Sequence, residues 1–258
     1  MSIHPTAVVA PGAILGAGVE IGPHAVVEAD VEIGEGSRIA AHAVIKRYTR
    51  MGARNRVHEQ AVIGGDPQDF KFKADTVSGI EIGDDNVFRE AVTVHRGSRA
   101  GAQTRVGSGC FFMALAHVAH DCIVGDQVVM ANAATLGGEV VVQDRAFLSG
   151  LVGVHQFCRV GRVAMIGGLA KVVQDVLPFC ITDGNPARAR GLNLVGLRRA
   201  GFKAAEIAAL KDAYRMLYER VPLKEAVARM ERSASAAVKE LAGFIAQGKR
   251  GFAHPRGE

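Results

Sequence analysis

Aliphatic residues return at every sixth position through most of the chain. One series runs from Ile3 to Ile63, and after a break of 19 residues a second series runs from Ile82 to Val172, with Ala100 as a weak member. A small or β-branched residue lies four positions after most of them. A period of six fits neither an amphipathic helix nor one alternating strand, so it indicates short units stacked on one another.

The period predicts a parallel β-helix with a three-sided cross-section. Each hexad forms one side and eighteen residues complete a rung, so eleven hexads before the break and sixteen after it amount to about nine rungs. Each rung is expected to pair with the next one about 4.8 Å away and to bury its inner face against it. The alternative, a sandwich of short strands, requires turn residues every ~8–12 positions and a varying register.

The repeat ends after Val172, and the pattern changes near Asn185-Pro186. Apolar residues then follow a helical period. They are Ile207, Leu210, Tyr214, Leu217, Val227, Met230, Val238, Leu241, Phe244 and Ile245. We therefore predict an all-β solenoid at residues 1–187, with an inserted loop near 64–81, followed by a C-terminal α-helical domain at residues 188–258.

Composition agrees with a solenoid. The chain is 48% hydrophobic and has 31 glycines but no tryptophan, which suits stacked repeats better than an aromatic core. Cys110, Cys122 and Cys158 occupy the small inward positions of their hexads, where a thiol in a reducing cytosol behaves as a compact apolar group. The sequence shows no signal peptide and no membrane-spanning stretch, so a cytoplasmic protein is expected.

The charge is unevenly distributed along the chain. Residues 188–258 carry a balance of +8, whereas residues 1–187 carry −3. A basic helical region beside a mildly acidic solenoid suggests an acidic partner. The alternative is an ordinary solvated helical surface.

A histidine motif crosses a corner between two hexads. It is His117-Val-Ala-His120-Asp121. Residues eighteen positions apart stack in columns, which places Gly138 one rung from His120 and Glu139 one rung from Asp121. A corner residue points outward, so His120 is not needed to fill the core. The column offers a general base, a carboxylate and a glycine N–H open to a ligand, while a purely structural role for the histidines stays open.

Several segments resemble the UDP-N-acetylglucosamine O-acyltransferase family, which starts lipid A biosynthesis. They are Ala116-His-Val-Ala-His-Asp-Cys122, Val154-His-Gln-Phe-Cys158, Ile63-Gly-Gly-Asp-Pro-Gln-Asp-Phe-Lys71, Thr93-Val-His-Arg-Gly97 and Gly191-Leu-Asn-Leu-Val-Gly-Leu-Arg-Arg199. The resemblance covers essentially the whole chain. It implies a cytoplasmic homotrimer of left-handed β-helices with active sites between subunits.

The same resemblance implies an activity. An (R)-3-hydroxyacyl chain would pass from acyl carrier protein to the 3-hydroxyl of UDP-N-acetylglucosamine. The reaction would need no metal or other cofactor, and the protein would have no nucleic acid partner and no stable membrane insertion.

Roles for single residues also follow from the resemblance. His120 would remove the proton of the sugar hydroxyl, Asp121 would orient the imidazolium, and the Gly138 amide would stabilise the oxyanion. Other residues would bind the substrates. For the sugar and acyl region these are His117, Glu139, His155, Gln156 and the loop residues Gln68, Asp69 and Lys71, and for the nucleotide they are Asn193 and Arg199.

Gly168 occupies the family position that limits acyl length. A bulky side chain there closes the acyl groove, because a packed groove does not accept extra volume, and a glycine leaves it open for a chain of about fourteen carbons. The alternative is a repeat glycine beside Gly167.

Three positions depart from the family pattern. Glu139 stands where a histidine is common, Val195 replaces an acidic residue, and Ala200 replaces a second arginine after Arg199. These departures affect the expected contacts with sugar and nucleotide. The resemblance also leaves open a diamino sugar nucleotide, with an amine in place of the 3-hydroxyl, as the acceptor, because some relatives accept one.

Two other classes of protein deserve comparison. A β-helix carbonic anhydrase would use His117, His120 and His155 as zinc ligands, but it would leave Asn193, Arg199 and the inserted loop without a role. A surface-binding scaffold would show flat outward columns of Thr or Ser, which the sequence lacks.

Overall fold

Three parallel sheets form the sides of a triangular solenoid. The computed structural model describes residues 1–218 and 221–254, and most strands in this part of the chain are two residues long. Each sheet takes every third strand of the sequence, as a coil with three sides requires, except that one sheet ends with the strands Cys180–Asp183 and Arg188–Leu192. The predicted left-handed parallel β-helix with a C-terminal helical region is thereby confirmed.

The strands are given sheet by sheet in spatial order. Sheet A contains β1 (Ser2–Ile3), β4 (Glu20–Ile21), β7 (Arg38–Ile39), β10 (Arg56–Val57), β13 (Val87–Phe88), β16 (Phe111–Phe112), β19 (Val129–Met130), β22 (Phe147–Leu148), β25 (Met165–Ile166), β27 (Cys180–Asp183) and β28 (Arg188–Leu192). Sheet B contains β2 (Val8–Val9), β5 (Val26–Val27), β8 (Val44–Ile45), β11 (Val62–Gly65), β14 (Thr93–His95), β17 (His117–Val118), β20 (Thr135–Leu136), β23 (Gly153–Val154) and β26 (Lys171–Val172). Sheet C contains β3 (Ile14–Leu15), β6 (Glu32–Ile33), β9 (Thr49–Met51), β12 (Gly79–Ile82), β15 (Gln103–Val106), β18 (Ile123–Val124), β21 (Val141–Val142) and β24 (Arg159–Val160).

The aliphatic residue of each hexad fills the inside of the coil. In β17 and β20 the register pairs Val118 with Leu136, and both side chains are buried. On sheet A, Phe88 and Phe112 stack in a column of their own with ring centroids 4.9 Å apart. A side chain in this column is therefore buried against the rungs above and below it, and one rung has no core of its own.

The corners of the coil require left-handed backbone. Asp121, Glu139 and Phe157 have φ angles of 59°, 60° and 65°, although none is glycine. The N–H of each such residue bonds to the preceding rung; that of Glu139 donates to the His120 carbonyl at 3.0 Å. These repeated bonds offset the backbone strain and hold corner residues of successive rungs in columns.

The cysteines lie in the core, as their positions predicted. Cys110, Cys122 and Cys158 are buried with free thiols. Burial raises the pKa of Cys110 to about 11. A thiol with so high a pKa stays protonated and unreactive at neutral pH.

Four helices follow the solenoid in the described residues. They are α1 (Leu194–Arg199), α2 (Ala204–Tyr218), α3 (Leu223–Glu231) and α4 (Ala236–Ala246). Leu210, Met230 and Leu241 are buried in one apolar cluster between them, in agreement with the helical period of the sequence. Residues 188–192 form β28, which pairs antiparallel with β27, so helix begins only at Leu194. The division into domains at residues 187 and 188 stays a prediction.

Two arginines of the solenoid fasten the helices to it. Arg159 makes two bonds of 2.8 and 2.7 Å to the Asp175 carboxylate and donates to the Phe244 carbonyl of α4. Arg162 holds Glu240 of α4 with bonds of 2.8 and 2.7 Å. The bonds of Arg162 reach both oxygens of Glu240, and this bidentate geometry fixes orientation as well as distance. Within the described part of the chain, no helix is long and apolar enough to cross a membrane.

Candidate active site

Polar segments gather at the corner between sheets B and C, here called the B–C corner. His120 and Asp121 occupy it between β17 and β18. The inserted loop, residues 66–78, leaves from the same corner between β11 and β12, and residues 96–102 leave from it between β14 and β15. Columns of the coil thus bring segments that are distant in sequence to one edge.

His120 and Asp121 form a hydrogen-bonded pair. The His120 Nδ1 atom lies 2.7 Å from Asp121 Oδ2, and the side chains are 19% and 6% exposed. Because an ionised carboxylate only accepts hydrogen bonds, Nδ1 carries the proton and Nε2 is left with its lone pair. The pair can therefore accept a proton at Nε2 while Asp121 fixes the ring.

Asp121 is held in its charged form. Burial raises the pKa of its carboxyl, but hydrogen bonds from Ser98 and His120 and the charge of Arg99 outweigh burial and lower the pKa below its usual value. The Ser98 N–H lies 3.2 and 3.1 Å from the two carboxylate oxygens. The Asp121 N–H donates to Thr104 Oγ1 at 2.8 Å. These bonds fix both the charge and the position of the carboxylate.

Gly138 lies directly against the His120 ring. A Cβ atom placed on Gly138 would lie 2.6 Å from His120 Cε1 and 2.7 Å from Nε2. Only a glycine allows this approach of ring and backbone. Among the described residues the Gly138 N–H has no acceptor, so it can donate to an atom that reacts beside His120.

Two further histidines lie near the pair: His117 is in β17 on the same rung as His120, and His95 is in β14 on the rung below. His117 Nδ1 is 2.7 Å from Thr93 Oγ1, and its ring meets that of His95 edge-on at 4.8 Å. Burial and then the neighbouring His120 lower the pKa of His117. Burial, His117 and His120 lower the pKa of His95 to about 4, against an opposing effect of Asp66. Both rings are therefore neutral near pH 7 and add no positive charge beside His120.

Glu139 forms an ion pair with Arg99, a residue that the sequence did not indicate. Arg99 Nη1 lies 3.1 Å from Glu139 Oε1, and Arg99 Nη2 lies 3.9 Å from Asp121 Oδ1. Counting in eighteens missed Arg99 because residues 96–102 interrupt the regular spacing. Ser98 and Thr104, which bind Asp121, were missed for the same reason.

Other predicted residues lie farther along the coil. His155 and Gln156 are exposed at the B–C corner two rungs from His120, and His155 Nδ1 lies 3.1 Å from the Gln156 carbonyl oxygen. Gly168 is exposed, and a Cβ atom there would meet only the Gly150 carbonyl oxygen, at 3.5 Å. A larger side chain at Gly168 would therefore project outward from the solenoid.

The inserted loop is anchored at its base and exposed at its tip. Arg96, 2% exposed, bonds to Asp66 at 3.0 Å and to the Thr76 carbonyl at 2.7 Å. These contacts join the two ends of the loop. The exposed tip carries the three predicted loop residues together with a fully exposed aromatic ring: Gln68, Asp69, Phe70 and Lys71.

Asn193 and Arg199 lie in a different place. They line a cleft of about 590 Å³ between sheet A and α1, beside the corner where sheet C leads into sheet A. Asn193 is already engaged, because its side chain accepts from the Gly196 N–H and donates to the Val163 carbonyl, each at 2.9 Å. A single chain therefore does not bring Asn193 and Arg199 to the His120–Asp121 pair.

The three histidines proposed for zinc do not converge. In the described residues, one group of three ligand atoms lies within 4.8 Å of one another, and it comprises His58, Glu59 and Glu90. Glu90 is also bound by Arg89 at 2.8 Å. Within the described residues of one chain, His117, His120 and His155 therefore do not form a group of three metal ligands.

Comparison with known proteins identifies the family. Residues 175–253 match the family model described as Udp N-acetylglucosamine O-acyltransferase, domain 2, and residues 16–47 match the bacterial transferase hexapeptide model. The acyl-[acyl-carrier-protein]–UDP-N-acetylglucosamine O-acyltransferase of Thiobacillus denitrificans is 49% identical over 255 residues, 97% of this chain and 98% of that protein. The protein of the same name from Synechocystis sp. is 45% identical over 175 residues, 67% of this chain and 63% of that protein.

A solved structure agrees over the same length. UDP-N-acetylglucosamine acyltransferase from Campylobacter jejuni has a TM-score of 0.93 and 39% identity, with 99% of this chain and 100% of that chain covered. Sequence motifs, fold and overall length therefore point the same way. The chain belongs to the UDP-N-acetylglucosamine O-acyltransferase family.

Proposed function

We propose that this chain transfers an (R)-3-hydroxyacyl group from acyl carrier protein to the 3-hydroxyl of UDP-N-acetylglucosamine, the first step of lipid A biosynthesis, in the cytoplasm. The observation that carries the proposal is the His120–Asp121 pair, whose ring packs against Gly138, a residue whose N–H has no acceptor among the described residues. This arrangement places a general base and an oxyanion donor at one point, as acyl transfer requires.

The chemistry follows from the orientation of His120. Nε2 accepts the proton of the sugar 3-hydroxyl while the oxygen of that hydroxyl attacks the thioester carbon. The Gly138 N–H donates to the oxyanion that forms, and Asp121 stabilises the imidazolium. When the intermediate collapses, the carbon–sulfur bond breaks and the departing thiolate of the carrier protein takes the proton from His120 and leaves as a thiol. The chain's own groups supply every step.

The substrate-binding roles extend along the B–C corner. His117, Glu139, His155 and Gln156 lie beside His120 or within two rungs of it and line the sugar and acyl region. Gln68, Asp69 and Lys71 reach the substrate from the tip of the inserted loop. Asn193 and Arg199 hold the nucleotide, where the forked donors of Arg199 suit a diphosphate.

In a homotrimer, the His120–Asp121 pair of one chain and the Arg199 cleft of another would form one site, although the two lie apart within a chain. Sheet B carries an outward column of valines over its first rungs, and sheet A carries outward Phe111, Val129, Phe147 and Met165. Sheet C instead carries charged pairs such as Glu32 with Arg50. Outward apolar columns of this kind favour contact with another chain. A ring of three copies would set sheet A of one copy, with its Arg199 cleft, opposite the His120 corner of the next.

Mixed oligomers test this arrangement. His120→Ala and Arg199→Ala variants should each be nearly inactive, and co-expression should restore part of the activity, because some sites would combine intact residues from two copies. A mixture with no activity, in an oligomer shown to contain both chains, would contradict sites shared between subunits.

The carrier protein is expected to dock on the basic helical region. Arg215 and Arg229 are paired with Asp212 and Glu225 within their own helices, which leaves other exposed cations for an acidic partner, among them Lys211 and Lys239. Raising salt to several hundred millimolar should raise KM for the acyl donor much more than KM for the sugar nucleotide. Equal salt dependence of the two KM values would count against this surface.

The role of His120 is tested by substitution. His120→Ala should lower kcat by about 10²- to 10⁴-fold, the usual contribution of a positioned base. The melting temperature should change little, because the ring lies at an outward corner and is not part of the apolar core. His4→Ala, at another exposed histidine, is the matched control and should keep full activity. A folded His120→Ala variant with near-normal kcat would refute the assignment.

A further inference from the structure

Two carboxylates of adjacent rungs share one guanidinium beside the base. Arg99 belongs to residues 96–102, and its side chain is 65% exposed. It donates to Glu139 at 3.1 Å and lies 3.9 Å from Asp121 Oδ1, which is too long for a hydrogen bond. Arg99 therefore binds Glu139 and acts on Asp121 through its charge alone.

The hydrogen bonds of Asp121 are complete without Arg99. Its oxygens accept from His120 Nδ1 and from the Ser98 N–H. Glu139 has no such donors in the described residues apart from Arg99. Without that arginine, Glu139 would be a free negative charge one rung from Asp121, and rotation of its side chain would bring a second carboxylate toward His120.

We propose that Arg99 is a positioning residue for the His120–Asp121 pair, which binds Glu139 so that Asp121 is the single carboxylate that acts on the His120 ring. The proposal extends the proposed function, since its consequence for catalysis depends on His120 being the base. Its physical content is a balance of charges: Glu139 and Arg99 cancel, and Asp121 remains.

The other groups that face His120 do not disturb this balance. His117 lies on the same strand end and His95 on the rung below, and burial keeps both rings neutral near pH 7. Asp66 lies beyond His95, where Arg96 binds it at 3.0 Å. Arg99 and Glu139 are thus the two charges near the pair whose removal changes the electrostatic potential at His120.

The removal of Arg99 and the removal of Glu139 should shift the pKa of His120 in opposite directions. Arg99→Gln removes a positive charge and frees Glu139, so the imidazolium is stabilised and the pKa of His120 rises. Glu139→Gln removes a negative charge and leaves Arg99 to act on Asp121, so the pKa of His120 falls. Because the Arg99 side chain is 65% exposed and solvent screens its charge, each shift should be about half a pH unit to one unit. The double variant should return close to the wild-type value, because the two changes cancel.

NMR titration of the resting enzyme tests the proposal without any catalytic assay. The His120 resonance is assigned by its loss in His120→Ala, and its pKa is compared in wild type, Arg99→Gln, Glu139→Gln and the double variant. Arg50→Gln is the matched control, because Arg50 is 66% exposed and pairs with Glu32 at 3.4 Å on sheet C. The control should leave the His120 titration unchanged.

The outcomes separate this proposal from the proposed function. Opposite shifts that cancel in the double variant support the charge balance. Shifts of the same sign, or no shift in either single variant, overturn it even if His120 is the base. If the shifts occur but the acidic limb of the kcat/KM profile does not follow them, the balance stands and the assignment of His120 as the base fails.

Discussion

The effect of Gly138→Ala follows directly from the short distances between residue 138 and the His120 ring. The new Cβ atom would lie 2.6 Å from His120 Cε1 and 2.7 Å from Nε2. Ordinary contacts between such atoms are about 3.5 Å, so the ring must move by roughly 1 Å. The Gly138 backbone does not have a positive φ, so alanine introduces no backbone strain and the ring takes up the change.

A movement of this size separates His120 from Asp121. The bond between Nδ1 and Oδ2 is 2.7 Å long, and lengthening it by about 1 Å takes it beyond hydrogen-bond range. A misplacement of about 1 Å at a reacting centre typically costs about 10²-fold in rate. We therefore expect kcat to fall by about 10²-fold while the melting temperature changes little.

Steady-state kinetics on Gly138→Ala and on a control measure this effect. Gly243→Ala is the control, since a Cβ atom on this helical glycine meets no heavy atom within 4 Å, and it should keep normal kcat. The double variant Gly138→Ala with His120→Ala should be no slower than His120→Ala alone, because the displaced ring is gone. A Gly138→Ala variant with wild-type kcat, or a double variant slower than His120→Ala, would refute the reasoning.

Three further predictions concern stability and specificity. The pKa of His95 is about 4 in the folded chain and 6.5 in the unfolded chain, so between these values the unfolded chain binds the extra proton. The free energy of unfolding should therefore fall by about 3 kcal/mol between pH 6.5 and pH 4. Urea titrations should show a smaller fall in His95→Gln. Asp175→Asn should cost about 3–5 kcal/mol, since it leaves Arg159 partly buried and unpaired, whereas Asp212→Asn at an exposed pair should cost less than about 1 kcal/mol in the same assay. Gly168→Met should shift the preferred acyl donor from about fourteen toward about ten carbons by filling the groove, and unchanged relative rates with the two donors would remove Gly168 from the acyl site.

The sequence was most informative where the coil is regular. Spacing in sixes predicted the three sheets, and spacing in eighteens predicted that Gly138 lies one rung from His120. The coil is regular there, since the corner bond from Glu139 to His120 recurs eighteen residues later from Phe157 to Gly138. The inward cysteines were predicted for the same reason. Regular stacking lets a residue's position in the sequence determine its position in space.

Prediction was poorer wherever the chain leaves the coil. Arg99 reaches Glu139 across 40 residues of sequence, because residues 96–102 do not follow the eighteen-residue interval. The role of Asn193 in capping α1 and binding Val163 depends on how β28 folds back on β27. Such contacts arise from tertiary packing, which no local period encodes.

Mass spectrometry of the reaction product would identify both the acceptor and the bond that the enzyme forms. Purified enzyme would be incubated with UDP-N-acetylglucosamine, a diamino sugar nucleotide and a mixture of 3-hydroxyacyl carrier proteins of different chain length. We expect one new species, UDP-N-acetylglucosamine with a 3-hydroxyacyl ester on its 3-hydroxyl, which His120→Ala does not form. An acyl amide on the diamino sugar as the main product, or no acyl transfer to either nucleotide, would contradict this expectation.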